Sequence, residues 1–173
     1  MTMIAPAASQ TSTSMRDMFI AKPTPRLAMA GLLGGLAGGL AEVIWIGLYS
    51  KAIGTDGFDV ARHVADTVFP GILRMSAAPS IGFAIHFGLS AALGIIATPI
   101  LSRFAGRSSA ALFPLCLGAL ALVWCLNFGL VLPAINPTFP SLLPLSVTFA
   151  SKLLFGLALA GVGHMVMAPR AGR

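Results

Sequence analysis

The sequence predicts an all-α polytopic membrane protein with four transmembrane helices, and its composition and apolar runs both indicate this. Of its 173 residues, 57% are hydrophobic and only 9% are charged, whereas a soluble domain has roughly 25% charged residues. Four apolar stretches also reach the length of about 20 residues that a bilayer crossing requires. Because lipid offers the backbone no hydrogen bonds, each of these stretches is expected to be helical.

The length of the chain fits one domain. We place a single four-helix transmembrane domain at 26–168, between an N-terminal tail at 1–25 and a basic C-terminal tail at 169–173. The four spans are predicted at 27–49, 81–101, 110–132 and 147–167. The N-terminal tail is rich in Ser, Thr, Ala and Pro and lacks the unbroken apolar core of a cleavable signal peptide. We therefore expect it to be a flexible extension.

Basic residues flank the spans on one side of the membrane. They are Arg16, Lys22, Arg26, Arg103, Arg107, Arg170 and Arg173. By the positive-inside rule, both termini are expected to be cytoplasmic, and we expect a multi-pass protein of the bacterial inner membrane. This distribution also accounts for the formal charge of +6 without a patch for nucleic acid, so no nucleic-acid partner is expected.

The two loops on the opposite side differ in character. Within the loop 50–80, the residues with helical spacing are Val60, Ala61, Val64, Ala65, Val68 and Phe69 on an apolar face and Asp59, Arg62, His63 and Asp66 on a polar face. This pattern predicts a short amphipathic helix on the membrane surface, which Pro70 should end. The loop 133–144 has four prolines and no charge, which favours a stiff cap close to the membrane.

Glycines form one face of the first predicted helix. Gly31, Gly35 and Gly39 follow one another at four-residue spacing, and such a surface lets another helix approach closely. We assign this face to packing inside the bundle, with homodimerisation as the alternative. At 100° per residue, Glu42 falls within about 20° of Gly31 and Gly35. Its carboxylate is therefore expected to point into protein.

Four polar side chains fall at one depth in the outer half of the membrane. They are Glu42, His86, Asn127 and Lys152, each roughly 8 to 10 Å below the surface at about 1.5 Å per helical residue. Ionisable groups in lipid normally face the bundle and find partners. We expect Glu42 to pair with Lys152 or His86 and Asn127 to complete the hydrogen bonding. Three interpretations are open. The group is a polar clamp that holds the helices together, it is a proton or cation site, or Lys152 extends to the membrane surface and does not take part.

The remaining histidines and cysteines predict no cofactor or metal site. His164 and His86 differ in depth by about 18 Å, so they cannot ligate one haem from opposite faces. Cys116 and Cys125 lie on opposite faces of one helix, roughly 13 Å apart, too far for a disulfide and without metal-ligand spacing. No catalytic motif is recognisable. We expect neither a cofactor nor enzymatic activity.

Two resemblances bear on function. The segment LAEVI, with Lys51 nine residues after Glu42, resembles the first helix of the small multidrug resistance transporters, four-helix antiporters that use a first-helix glutamate for protons and cationic drugs. That resemblance implies a proton role for Glu42 and a small cationic substrate. The layout of most of the chain is similar to YagU-type bacterial inner-membrane proteins, with a glycine-rich first helix, a long outer loop, a His-bearing second helix and a third helix that runs into prolines.

The function that we expect is inferred from the small number of polar groups inside the membrane. A path for a hydrophilic solute needs more lining groups than four in one layer. We therefore expect a protein that acts through helix–helix interaction with other membrane subunits or with itself, as an accessory or assembly subunit or a homo-oligomer, using its glycine face and lipid-facing surfaces. The alternative is a small proton-coupled transporter that uses Glu42. An electron-transfer subunit is a third hypothesis.

Overall fold

The computed structural model describes residues 24–106 and 108–167, and no strand occurs in these two ranges. The helices, in chain order, are α1 (Pro25–Ala52), α2 (Asp59–Val68), α3 (Ala78–Ala105), α4 (Leu112–Leu126), α5 (Leu132–Ile135) and α6 (Leu145–Met167). Four helical segments are long and apolar enough to cross a membrane, namely α1, α3, the segment Ser109–Ile135 and α6. The all-α class and the four candidate spans are thereby confirmed. The predicted N-terminal tail up to residue 23, Arg107 and the basic tail lie outside the described residues.

Both ends of α1 have local signals that extend it beyond its apolar run. Thr24 precedes the helix and its side-chain oxygen accepts a hydrogen bond from the N–H of Leu27 at 3.4 Å, while Pro25 fits the first helical position because its missing N–H is not needed there. At the other end, Gly54 has a φ of +74°, a left-handed conformation that ends helices readily. The hydrophobic stretch therefore underestimates the length of the helix.

The third span is irregular near its end. After α4, residues Asn127–Val131 form a π-helical turn, in which the N–H of Leu132 bonds the carbonyl of Asn127, five residues back. Pro133 follows and has no N–H for the carbonyl four residues before it, so regular α-helical bonding cannot continue. A π turn is one way for a helix to absorb such an interruption.

The two connecting loops at one end of the bundle are joined to each other. Helix α2 buries Ala61 and Ala65, and it packs on α3 so closely that a Cβ at Gly82 would collide with the backbone of Ala61. In the proline-containing loop, Asn136 is buried and its Nδ2 donates a 2.9 Å hydrogen bond to Oγ1 of Thr67 at the end of α2. The loop is thus fixed by a side-chain contact as well as by its prolines.

Helix α1 lies at the centre of the bundle, between α3 and α6, and α4 packs mainly against α6. The glycines of α1 serve both neighbours. A Cβ at Gly31 or Gly35 would collide with the backbone of α3 near Gly94 and Ser90. A Cβ at Gly34 or Gly38 would instead meet the side chains of α6. The glycine face is therefore covered within the chain.

Candidate functional site

Close packing of α1 against α3 takes Glu42 out of contact with lipid. A Cβ at Gly39 would lie 2.6 Å from Oγ of Ser90, so the two helices approach to nearly backbone contact there. Glu42 lies less than one turn further along the same buried surface and is only 4% exposed. A carboxylate at this depth needs a partner, because a buried unpaired charge is costly.

The partner of Glu42 is Lys152 on α6. Its Nζ lies 2.6 Å from Oε1 of Glu42, the distance of a strong charge-assisted hydrogen bond. The ammonium also lies 5.9 Å from the centroid of the Phe155 ring, within reach of a cation–π contact. The pair joins α1 to α6 in the half of the bundle that holds α2.

A serine hydroxyl adds to the ion pair from the same helix. Oγ of Ser151 lies 3.2 Å from Oε1 of Glu42 and 2.7 Å from the carbonyl oxygen of Thr148. A hydroxyl has one proton to donate, so Ser151 can serve only one of these acceptors at a time. The shorter contact is the one to Thr148, and Lys152 is therefore the main donor to the carboxylate.

His86 on α3 approaches the carboxylate from the other side. Its Nε2 lies 3.1 Å from the carbonyl oxygen of Gly39 and 3.9 Å from Oε2 of Glu42. A carbonyl only accepts, so Nε2 must carry a proton to make the shorter bond. The imidazole thus donates to the α1 backbone and borders Glu42 without a direct hydrogen bond to it. Three titratable side chains from three helices meet here.

Asn127 is not part of this cluster. It begins the π-helical turn, and it forms no side-chain hydrogen bond to Glu42, His86 or Lys152 within the described part of the chain. The span that contains Asn127 packs chiefly on α6 and not on α1. Similar depth in the membrane is therefore not sufficient for contact.

Sequence reasoning missed two tryptophans that contact the start of α6, Trp45 on α1 and Trp124 on α4. Nε1 of Trp45 donates to the carbonyl of Val147 at 3.0 Å, and Nε1 of Trp124 donates to Oγ1 of Thr148 at 3.1 Å. The two indoles thus hold the first turns of α6 from both neighbouring helices, one turn before Ser151 and Lys152. These contacts could have been expected from the two tryptophans in the spans, because a buried indole N–H normally finds a hydrogen-bond acceptor.

Four charged residues outside the membrane spans have structural partners, namely Asp56, Asp59, Arg62 and Asp66. Nη1 of Arg62 lies 2.6 Å from Oδ2 of Asp56 and 3.2 Å from Oδ1 of Asp59. The Arg62 guanidinium, together with the N–H of Phe58, lowers the pKa of Asp56 below its usual 3.8. Asp66 accepts a 2.7 Å bond from the N–H of Gly71 after α2. These carboxylates therefore shape the turns on either side of α2.

The cluster is an ion pair with a neighbouring imidazole. Such a set of groups can exchange protons, or it can hold helices together electrostatically. Across residues 24–106 and 108–167, no group of three His, Cys, Asp or Glu side chains could hold a metal ion. The resemblances to multidrug transporters and to YagU-type proteins rest on the sequence alone. Comparison with protein-family models, curated proteins and solved structures finds no match.

Proposed function

We propose that this chain is a bacterial inner-membrane protein that acts through helix–helix contacts with other membrane components, as an accessory or assembly subunit or as a homo-oligomer. The supporting observation is the poor coverage of the third span. Only 17% of the residues in its most apolar stretch are buried, against 22% in α3 and 39% in α1 and in α6. This span has one extensive neighbour, α6, and offers the remaining circumference to lipid or to a partner helix.

The outward face of α4 suits the close approach of a second helix. Leu122 and Leu126 are more than half exposed. A Cβ added at Gly118, or at Gly129 in the π-helical turn that follows, would meet no other part of the described chain within 4 Å. Small residues allow backbones to approach in lipid. The glycines of α1 are already covered by α3 and α6, so α4 replaces the glycine face as the proposed contact surface.

Gly118→Leu tests this proposal, because the new side chain would project into open space in the single chain and obstruct a partner helix. We expect the wild-type protein in mild detergent to have a mass above that of one chain by light scattering, and G118L to lower it. Gly88→Leu on α3 is the matched control, since Gly88 has equally open surroundings. A wild-type protein that is isolated as a lone monomer without a partner would contradict the proposal.

The proposed orientation places both termini in the cytoplasm and α2 on the outer membrane surface. Arg26 at the start of α1 and Arg103 in the last turn of α3 belong to one end of the antiparallel bundle, which supports this orientation by the positive-inside rule. A fluorescent protein fused to the C terminus should fluoresce and an alkaline phosphatase fused there should be inactive. The reverse result would invert the topology.

A proton-coupled transporter is the second candidate, and the meeting of Glu42, Lys152 and His86 supports it. A proton that moves onto Glu42 would neutralise the carboxylate and release Lys152. When that proton leaves again, a small cation could compete with the ammonium for the carboxylate. Such exchange would require the α1–α6 contact to open.

Glu42→Gln in reconstituted vesicles tests the transporter hypothesis, with tetraphenylphosphonium as the probe cation. We expect uptake driven by a proton gradient in the wild type and its loss in E42Q. Asp66→Asn, which removes a carboxylate outside the membrane, should retain uptake. Equal uptake by E42Q and wild type would exclude the proton role of Glu42.

A further inference from the structure

A groove lies at the end of the bundle opposite the polar cluster. It runs between the start of α1 and the end of α6 and has a volume of about 300 Å³. Its lining residues are Arg26, Met29, Ala30, Leu33, Met165 and Val166. Five of these six residues are apolar, so the groove is apolar except for one cationic group, the guanidinium of Arg26.

The cationic group is held in place by the backbone of α6. Nη2 of Arg26 donates a 2.6 Å hydrogen bond to the carbonyl oxygen of Val166, which lies in the last helical turn, where carbonyls lack intrahelical donors. A guanidinium has five N–H donors in one plane, so this bond orients Arg26 and leaves further donors directed elsewhere. The exposed side chain can therefore bind a second acceptor without leaving Val166.

The walls of the groove lie on the outer surface of the bundle, within the two candidate membrane spans α1 and α6. Met29, Leu33 and Met165 are each more than half exposed, whereas Ala30 is 1% exposed and forms the floor. From Arg26 to Leu33 is seven residues, or about 10 Å along the helix. The groove thus extends from the membrane interface into the acyl-chain region, where its occupant must be apolar along most of its length.

The charge of the groove favours an anion at the interface. The carboxylates in the described ranges are Glu42, Asp56, Asp59 and Asp66, and all of them lie towards the α2 end of the bundle. Arg26 forms no ion pair with any of them. An apolar groove with a fixed guanidinium at its mouth matches the chemistry of a lipid with an anionic headgroup.

We propose that this groove binds an anionic phospholipid of the leaflet at the N-terminal end of α1. The phosphate accepts hydrogen bonds from Arg26, and one acyl chain lies along Met29, Leu33 and Met165. The lipid would then bridge the first and last membrane helices beside the Arg26–Val166 bond.

Native mass spectrometry of protein released from nanodiscs tests the proposal, with equal amounts of phosphatidylglycerol and phosphatidylcholine as the probe lipids. We expect the wild type to retain phosphatidylglycerol preferentially and Arg26→Gln to reduce this preference about fivefold, the effect of one basic residue near an anionic surface. Arg26→Lys retains the charge and should preserve part of the preference. Arg103→Gln, at the same end of the bundle but outside the groove, is the matched control.

A second measurement separates lipid binding from a loss of folding. Phosphatidylglycerol should raise the thermal unfolding temperature of the wild type and of R103Q more than that of R26Q. Equal losses of preference in R26Q and R103Q would show general surface attraction and overturn the site. Equal retention of both lipids by the wild type, or release of phosphatidylglycerol by inorganic phosphate, would also overturn it.

Discussion

At the scale of single residues, the main feature is a buried charge whose partner is fixed by geometry. Glu42 is almost completely buried, and Lys152 contacts it from another helix. Such a pair contributes little net stability compared with an apolar pair, yet removal of one member leaves an uncompensated charge. This asymmetry can be measured.

Lys152→Met should lower the free energy of unfolding by about 3–5 kcal/mol, because it leaves the Glu42 carboxylate buried without a cation. Glu42→Gln should also destabilise the protein, and the double variant should be more stable than the sum of the two single effects predicts. The free energies for this double-mutant cycle are measured by unfolding the variants in mixed detergent micelles, with circular dichroism as the signal. Additive effects of the two substitutions would show that the pair is not coupled.

Asp56 and Arg62 provide a residue-scale test in water. Because the Arg62 guanidinium lowers the pKa of Asp56 below 3.8, their interaction stabilises the fold above pH 3.8 and is lost as the pH falls through the lower, folded-state value. We expect the Asp56 carboxyl carbon to titrate by NMR with a midpoint below 3.8.

Arg62→Gln should raise that midpoint towards 3.8, because the main hydrogen-bond donor is gone. Arg74→Gln, elsewhere in the same loop, serves as the control and should leave the midpoint unchanged. A midpoint that is the same in R62Q and wild type would contradict the assignment of Arg62 as the cause.

At the scale of elements, the glycines of α1 determine how closely the helices pack. Gly31 and Gly35 are in contact with the backbone of α3, and Gly38 contacts the Phe155 ring of α6. A helix with side chains at these positions would stand further from both neighbours, and the ion pair would open. The glycine spacing and the buried charge are therefore parts of one arrangement.

Gly35→Ala should destabilise the bundle by about 1–3 kcal/mol, the usual cost of overpacking, because its Cβ would collide with backbone atoms that cannot rotate away. Gly47→Ala on the same helix is the control, since its Cβ would meet no other part of the described chain within 4 Å. We expect G47A to be as stable as the wild type or more so, owing to its higher helix propensity. Equal destabilisation of both variants would indicate a general effect of glycine replacement.

At the scale of the whole molecule, the helices are ordered α3, α1, α6 and α4 by their main contacts. A Cβ at Gly156 would lie 3.3 Å from the backbone oxygen of Cys116, which brings α6 and α4 together at that level. This order explains why the third span is the least covered and why it has the surface proposed for a partner.

Gly156→Cys should form a cross-link with the native Cys116 when treated with a short bifunctional thiol reagent, detected as a mobility shift after cleavage in the 133–144 loop. Gly161→Cys on the same helix should form none, because its Cβ would meet no other helix of the described chain within 4 Å. Cross-linking of G161C but not of G156C would require a different rotation of α6.

The sequence by itself determined the class of the protein and the location of its spans. Long apolar runs leave helices as the only way to satisfy the backbone in lipid, and the period of 3.6 residues places Glu42 on the same face as Gly31 and Gly35. Pro70 similarly marked the end of α2, which stops at Val68. These features depend on local chemistry and can be worked out one segment at a time.

Only the tertiary structure decided which helices are neighbours. Glu42, Lys152 and Asn127 were placed at similar depth, yet depth does not specify the rotation of a helix or its position in the bundle. Because α4 packs on α6 and not on α1, Asn127 forms no hydrogen bond with the carboxylate in the described residues, whereas Oγ of Ser151 lies 3.2 Å from it. Apolar packing in lipid has little directional preference, so these choices depend on the contacts of all four spans together.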